Sequence, residues 1–426
     1  ACLALLAEAC GDRSRTRTRG GKKMAGQRRA GLLTPAGKLR EALVDILISA
    51  LTFFRALGPF VLDLIRSWLQ PERDRLPGRI ADLLDPKVFS RLAGRTVEKV
   101  EFSERLEQHA NSTDRAWFKV RFSGEEKDTS IFTKIHARNQ LVRALMSMFD
   151  VYRNEIDAYA NLEMPVCTPK VHIAKWTRSR FCLALEDLRA EKVTFPNIWE
   201  TNLTEDLAQK VLTTLATIHV KFWNNAPPGC WNAEHRPFRG KLVALFTHWV
   251  VRRKLPGLIP DDVAQLFDIA VWNWHKVQAF YERPGLKTMV HGDSHMGNFF
   301  FKPDGTVGTF DFQVKSEEHP IRDVVYFLSC SYDHEKLPAV EKNLVRFYLA
   351  ELARLGAPAD EIPTFDQAWL QYRLHALSPL YAFVFSGGFS NLMDSHQTVC
   401  GLRRIVSLVQ RVDTAGALDD LLSGKI

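Results

Sequence analysis

The run His291-Gly292-Asp293-Ser294-His295-Met296-Gly297-Asn298 is followed by Phe299-Phe300-Phe301, a Pro303-Asp304-Gly305 turn, and Phe310-Asp311-Phe312-Gln313. Asp293 and Asn298 are five residues apart, and Asp311 follows thirteen later at the end of an apolar strand. A strand–loop–strand hairpin would bring all three to one place. Phosphoryl transfer of the kinase type needs this set: a carboxylate to take a hydroxyl proton, and an amide oxygen plus a second carboxylate to hold Mg²⁺ on nucleotide phosphates. Asp293 is the expected base, and Asn298 and Asp311 are the expected metal ligands. His291 and His295 flank Asp293 and could suggest zinc or iron, but the oxygen donors suit Mg²⁺ better. His291 is read as a buried scaffold residue, His219 as a core histidine, and His295 is left unassigned.

Other residues must present the nucleotide to that hairpin. Ser130–Ile135 reads as a strand carrying Lys134, and Val151–Leu162 as a helix carrying Glu155. A strand lysine oriented by a helical carboxylate can grip the α- and β-phosphates. Glu186-Asp187-Leu188 ends a strand just before the helical half, where the backbone of Glu186 and Leu188 would meet the base while the acids cap. Ser103–Arg115 is expected to be the loop over the phosphates. It contains no glycine, so Asn111, Ser112 and Thr113 would supply backbone and hydroxyl donors, with Ser112 as the candidate contact. Asp323, at the head of an apolar helix, is expected to cap it or to brace the catalytic loop. No G-x-x-x-x-G-K-[ST] sequence occurs, so a P-loop enzyme is not supported.

The elements expected around these residues are a small antiparallel sheet and then a mainly helical half. Strands are expected at 97–102, 116–122, 130–135 and 181–185, and shorter extended pieces at 287–290, 299–301 and 306–310. Helices are expected at 261–281, 339–355, 365–385 and 398–411, with a further apolar stripe through Leu207, Val211, Leu215, Ile218 and Phe222. The 426 residues are 46% apolar, enough for a large core. The seven cysteines are scattered and form no C-x-x-C pair, which excludes a disulfide framework or zinc site and fits a reducing compartment.

Residues 1–40 hold ten Lys/Arg against two acids, the entire net charge of +8. The remainder is balanced, so the folded body offers no electrostatic case for nucleic acid. The tail is expected to be a solvated arm, with 1–23 read as an extension upstream of a start at Met24. Residues 41–70 read as a helix with a wide apolar face, broken or kinked midway at Gly58-Pro59. Its charges argue against a bilayer span. Packing on the body or a partner is the preferred reading, and membrane-surface contact the alternative.

Taken together, His291–Asn298 and Asp311-Phe312-Gln313 resemble the signature of the aminoglycoside phosphotransferase/choline kinase superfamily, most nearly its ecdysteroid kinase-like branch. Asn154-Glu155 with Tyr159, Leu185 through Leu188, Leu215 through His219 with Phe222-Trp223, and Pro320 through Leu328 support the resemblance, which spans roughly 85–410. It implies an α+β, protein-kinase-like two-lobed fold, with ATP or GTP as donor, Mg²⁺, and a small-molecule hydroxyl as acceptor. The expected units are a basic tail (1–40), a helical extension (41–84), a nucleotide-binding lobe (85–188) and a helical lobe (189–426) with the catalytic loop and acceptor side. Phe365, Trp369, Tyr372, Tyr381, Phe383, Phe385 and Phe389 favour an acceptor with an apolar body. The expected protein is a cytoplasmic small-molecule kinase. A kinase fold kept only for binding is the alternative, and a protein kinase is disfavoured because helix returns soon after Gln313.

Overall fold

A computed structural model describes residues 35–71, 74–105, 112–197, 203–231, 241–283, 285–389, 393 and 395–426. Most of the basic tail, and Asn111 of the first loop, lie outside the described residues. The described residues open with α1 (Pro35–Leu69), a 3₁₀ turn (Ile80–Leu84) and α2 (Pro86–Ala93). Asp85 caps α2 through Lys87 N–H with Pro86 at its first position, and Gly94 ends it in the left-handed region. Then come β1 (Val97–Arg105), β2 (Thr113–Phe122) and β3 (Thr129–His136), α3 (Gln140–Met148) and α4 (Val151–Asn161), and β4 (Val171–Trp176) and β5 (Phe181–Glu186).

The five strands form one antiparallel sheet in the order β1-β2-β3-β5-β4. Both faces are covered. Ile131, Ile135, Cys182 and Ala184 pack with Phe89 and Leu92 of α2, while Phe181, Leu183 and Leu185 pack with Tyr152 and Ile156 of α4. The period of two along a strand fixes which residue faces which layer. Lys134 pairs with Leu183, so it shares Leu183's face and turns toward α4.

The helical half comprises α5 (Glu205–Lys221), α6 (Lys241–Lys254), α7 (Asp261–Trp272), α8 (Trp274–Tyr281), α9 (Ile321–Ser331), α10 (Leu337–Arg354), α11 (Phe365–His375), α12 (Leu377–Gly388), α13 (Ser395–Arg411) and α14 (Thr414–Leu422). Between α8 and α9 lie β6 (Thr288–Val290), β7 (Phe299–Phe301), β8 (Val307–Thr309) and β9 (Ser316–Glu318). β7 pairs with β8, and β6 with β9. The helices enclose the largest apolar cluster, built on Leu215, Phe327, Leu344, Tyr348, Leu380 and Leu408 among others.

This is the expected α+β architecture of a sheet lobe followed by a helical lobe. Several boundaries differ. The first loop is shorter than 103–115, because β1 runs to Arg105 and β2 starts at Thr113; cross-strand pairing carries polar residues the alternation rule leaves out. The 261–281 helix is two helices parted at Asn273, and 365–385 is two parted at Ala376. The α1 helix is unbroken through Gly58-Pro59. Proline removes one intrahelical bond, and a 35-residue helix carries that loss without ending.

Candidate functional site

Two short-range groups meet at the β7–β8 hairpin. In the first, Lys134 Nζ lies 2.8 Å from Glu155 Oε1 and 3.3 Å from Asp311 Oδ2. Lys134 and Glu155 are buried. Despite burial, the Asp311 and Glu155 charges hold the Lys134 ammonium protonated, with its pKa raised. Burial works against ionised Asp311, but Lys134, Arg115 and His291 together outweigh it and keep that carboxyl below its ordinary value. Glu155 is pushed up by burial.

In the second group, Asn298 Nδ2 donates to the Asp293 carbonyl at 2.7 Å and to its carboxylate at 3.3 Å. His295 Nε2 stands 3.6 Å from the same carboxylate. Tyr326 lies near it, and burial and then the Asp293 charge drive that phenol's pKa well above its ordinary value. The hairpin joins the groups: the Asn298 carbonyl accepts from Phe310 N–H (3.1 Å) and Thr309 Oγ1 (2.8 Å). Asp311 adopts φ +70°, a left-handed turn unusual for a non-glycine residue, and its N–H donates to the Tyr159 hydroxyl at 3.2 Å.

The donor set fits Mg²⁺. Asp311 Oδ1 is buried without a hydrogen-bond partner, an arrangement that is costly unless a cation or other donor meets it. The Asn298 amide nitrogen is committed to Asp293, so its oxygen is the atom left for another ligand. Among the described residues no cluster of three His, Cys, Asp or Glu side chains could hold a metal. Mg²⁺ needs none: one or two protein oxygens, phosphates and waters complete its shell.

A buried brace fixes the loop that carries Asp293. The Asp323 carboxylate accepts from His291 N–H at 2.6 Å and Gly292 N–H at 3.0 Å, and faces His219 Nε2 at 3.3 Å. Burial raises its pKa, but the His219 bond and neighbouring charges bring it below the ordinary value. Arg322 donates to the Gly292 carbonyl (2.9 Å) and pairs with Glu318 (3.0 Å). Gly292 sits at φ +86°, where a Cβ would stand 2.1 Å from the Val314 carbonyl oxygen. His291 is fully buried and bonds the Phe310 carbonyl, the scaffold role expected for it. Asp323 takes the bracing role, and His219 is a core histidine that also serves the brace.

A further lock was not foreseen. Lys315 is fully buried and donates to Asn154 Oδ1 (2.5 Å) and the Gly229 carbonyl (3.2 Å). Asn154 Nδ2 returns bonds to the Gln313 and Lys315 carbonyls, both 3.0 Å. The helix bearing Glu155 is thereby tied to the segment bearing Asp311.

Three expected residues lie at the rim of this cluster. The Ser112 carbonyl accepts from the Tyr152 hydroxyl at 2.9 Å, tying the first loop's end to α4. Glu186 turns its carboxylate to Lys170 N–H (3.1 Å), and the Leu188 side chain is buried beside it. Neither contacts the Lys134–Asp311 group directly; any ligand role there is left to their backbone. Asp187 caps the following turn through Arg189 N–H, as expected of these acids. Of the C-terminal aromatics, Tyr372 and Phe383 are core residues, Tyr372 bonding Glu341; they are removed from the acceptor reading. A helix apolar on most sides does not reveal which face its core takes.

Residues 257–357, which include the whole His291–Asn298 loop, β7–β8 and α9, match the ecdysteroid kinase-like family model. The resemblance read from the motif residues is borne out over that stretch. No curated protein matches the chain. Similar solved structures include a choline kinase from Streptococcus pneumoniae, 13% identical over 76% of this chain and 94% of its own, TM-score 0.44. An ethanolamine kinase from Plasmodium vivax is 10% identical over 81% and 86%, TM-score 0.43. An aminoglycoside 2'-phosphotransferase-IIIa in a GDP complex is 13% identical over 77% and 96%, TM-score 0.43.

Proposed function

We propose that the chain is a Mg²⁺-dependent phosphotransferase that moves the γ-phosphate of ATP or GTP to a hydroxyl of a small molecule in the cytoplasm. The observation that carries this reading is the meeting of Lys134 with both Glu155 and Asp311, beside the Asn298–Asp293 pair at the open end of the β7–β8 hairpin. The nucleotide would lie between a sheet lobe (85–188) and the helical lobe (189–426). There Glu186 and Leu188 would offer backbone to the base and Ser112 would cover the phosphates. Lys134, oriented by Glu155, grips the α- and β-phosphates. Asn298 and Asp311 hold Mg²⁺, which when bound offsets charge on the phosphates.

Asp293 takes the proton from the acceptor hydroxyl. The freed oxygen forms a bond to the γ-phosphorus as the bond from that phosphorus to the bridging oxygen breaks, and the nucleoside diphosphate leaves. The hydrogen bond from Asn298 fixes the Asp293 carboxylate for that transfer. The partly exposed aromatics of the C-terminal helices, such as Trp369 and Tyr381, support an acceptor with an apolar body over a polycationic sugar.

The test is a metabolite screen for Mg·ATP-dependent phosphorylation, with Asp293→Asn as control. Mg·ATP or Mg·GTP should raise the melting temperature of wild type and variant alike, while the variant loses about 10²–10⁴-fold in turnover. Absence of Mg²⁺-dependent stabilisation by either nucleotide would refute the enzyme and favour a fold kept for binding. Wild-type turnover in the variant would remove Asp293 from the chemistry.

A further inference from the structure

The α1 helix buries one side and leaves the other in solvent. Phe60 and Ser67 are buried, and the Asp63 carboxylate accepts from Ser179 N–H and Thr177 Oγ1, both 2.8 Å. At 100° per residue these three share one side of the helix. The opposite side carries Leu47, Leu51, Phe54, Leu62, Trp68 and Leu69, each more than half exposed; Phe54 is 69% and Trp68 74% exposed. With Leu43, Val44, Ile46, Val61 and Ile65 they make an apolar arc about 160° wide and about 39 Å long. Large exposed apolar patches mark interaction or membrane-contact sites.

Charge says what covers it. Arg40, Arg55 and Arg66 are exposed. By the helical period Arg40 falls within the apolar arc at its N-terminal end, and Arg55 and Arg66 fall along one edge. Asp63 falls toward the opposite, protein-facing side. The chain before Arg40 adds the net +7 of residues 1–39, nine Lys/Arg against two acids. An apolar face flanked by arginines and continuous with a basic segment matches the two-part requirement for seating on anionic lipid: apolar burial and attraction to the headgroups. A second copy would bring the same positive charge against itself. No helix among the described residues is long and apolar enough to cross a bilayer, so the helix would lie on the surface.

We infer that α1 is a docking helix for an anionic membrane surface, seated through the Leu47–Leu69 apolar face with its flanking arginines at the headgroups. This goes beyond the phosphotransfer reading and stands without it.

The full chain is tested by flotation with vesicles of phosphatidylcholine alone and of phosphatidylcholine mixed with phosphatidylserine. The variants are Phe54→Asp/Trp68→Asp and Arg55→Glu/Arg66→Glu. All four positions are exposed, so each variant should keep the wild-type melting temperature. Wild type is expected to float with the mixed vesicles, much less with phosphatidylcholine alone, and to be released by high salt. Each variant should lose about tenfold or more in its bound-to-free ratio. No flotation with the mixed vesicles, or equal flotation of wild type and both variants, would overturn the inference. A concentration-dependent dimer dissolved by the Asp variant, with no vesicle binding, would overturn it in favour of a second copy.

Discussion

Replacing Asp323 should cost more than replacing any surface acid, because three buried groups depend on it. Its carboxylate takes the His291 and Gly292 N–H groups and faces His219 Nε2. Asp323→Ala would leave all three without that partner. An orphaned buried donor costs about 1–3 kcal/mol, so about 3–6 kcal/mol is expected after partial relief by water. Domain stability is only about 5–15 kcal/mol. Asp323→Asn keeps one acceptor oxygen but points an NH₂ at a donor, and should cost about 2–3 kcal/mol. Urea unfolding at neutral pH measures both. A loss below about 0.5 kcal/mol for Asp323→Asn would refute the brace, since ordinary surface substitutions fall in that range.

The pH dependence gives a second, independent reading. The folded pKa of Asp323 is below its unfolded value. Its contribution is therefore present above the unfolded carboxylate value of about 4 and is lost as pH falls through the folded value. The gap between wild type and Asp323→Asn should be constant near neutrality and should narrow below about pH 4. A gap that widens on acidification would show that another group carries the acid limb.

Three further outcomes are expected. Lys134→Met leaves Glu155 and Asp311 buried with no ammonium between them, and should destabilise by about 3–5 kcal/mol at neutral pH. The loss should shrink on acidification, because Glu155 already has a raised pKa and protonates first, and melting curves at two pH values decide it. Gly292→Ala meets the Val314 carbonyl at 2.1 Å from a backbone at φ +86°, so a loss of at least about 3 kcal/mol is expected by chemical denaturation, and near-wild-type stability would contradict the close approach. Asn154→Ala strips Lys315 of one of two partners and unties α4 from the Asp311 segment. It should cost about 2–4 kcal/mol and halve or abolish stabilisation by Mg·ATP, whereas intact nucleotide stabilisation in a folded variant would show that the tie does not set the site.

The sequence revealed most where one local rule was enough. Alternation placed β3 and thus Lys134, helical periodicity placed α4 and thus Glu155, and the fixed spacing of Asp293, Asn298 and Asp311 around a Pro-Asp-Gly turn gave the hairpin. It revealed least where partners are far apart in the chain. Lys315 and Asn154 are separated by 161 residues, and from sequence Lys315 is one more charged loop residue. The strand Ser316–Glu318 has no apolar alternation; its pairing with β6 creates it. The exposed arc of α1 was half legible: amphipathicity was plain, but which side meets the body depends on the Asp63 contact with Ser179, 116 residues away.

The same distinction explains how the site holds its shape. Its candidate groups sit close in sequence, in the loop before β7 and just after β8, on elements too small to be rigid alone. Their precision must come from distant groups: Asp323 under the Asp293 loop, Asn154 and Lys315 behind Asp311, and Glu155 beside Lys134. Each of these is buried, so each loses more when unpaired than it would in water. A motif can therefore be present in a chain while its chemistry is lost, if any one of these buried partners is missing. The motif supports the proposed reaction, and the buried partners decide whether the chain can perform it.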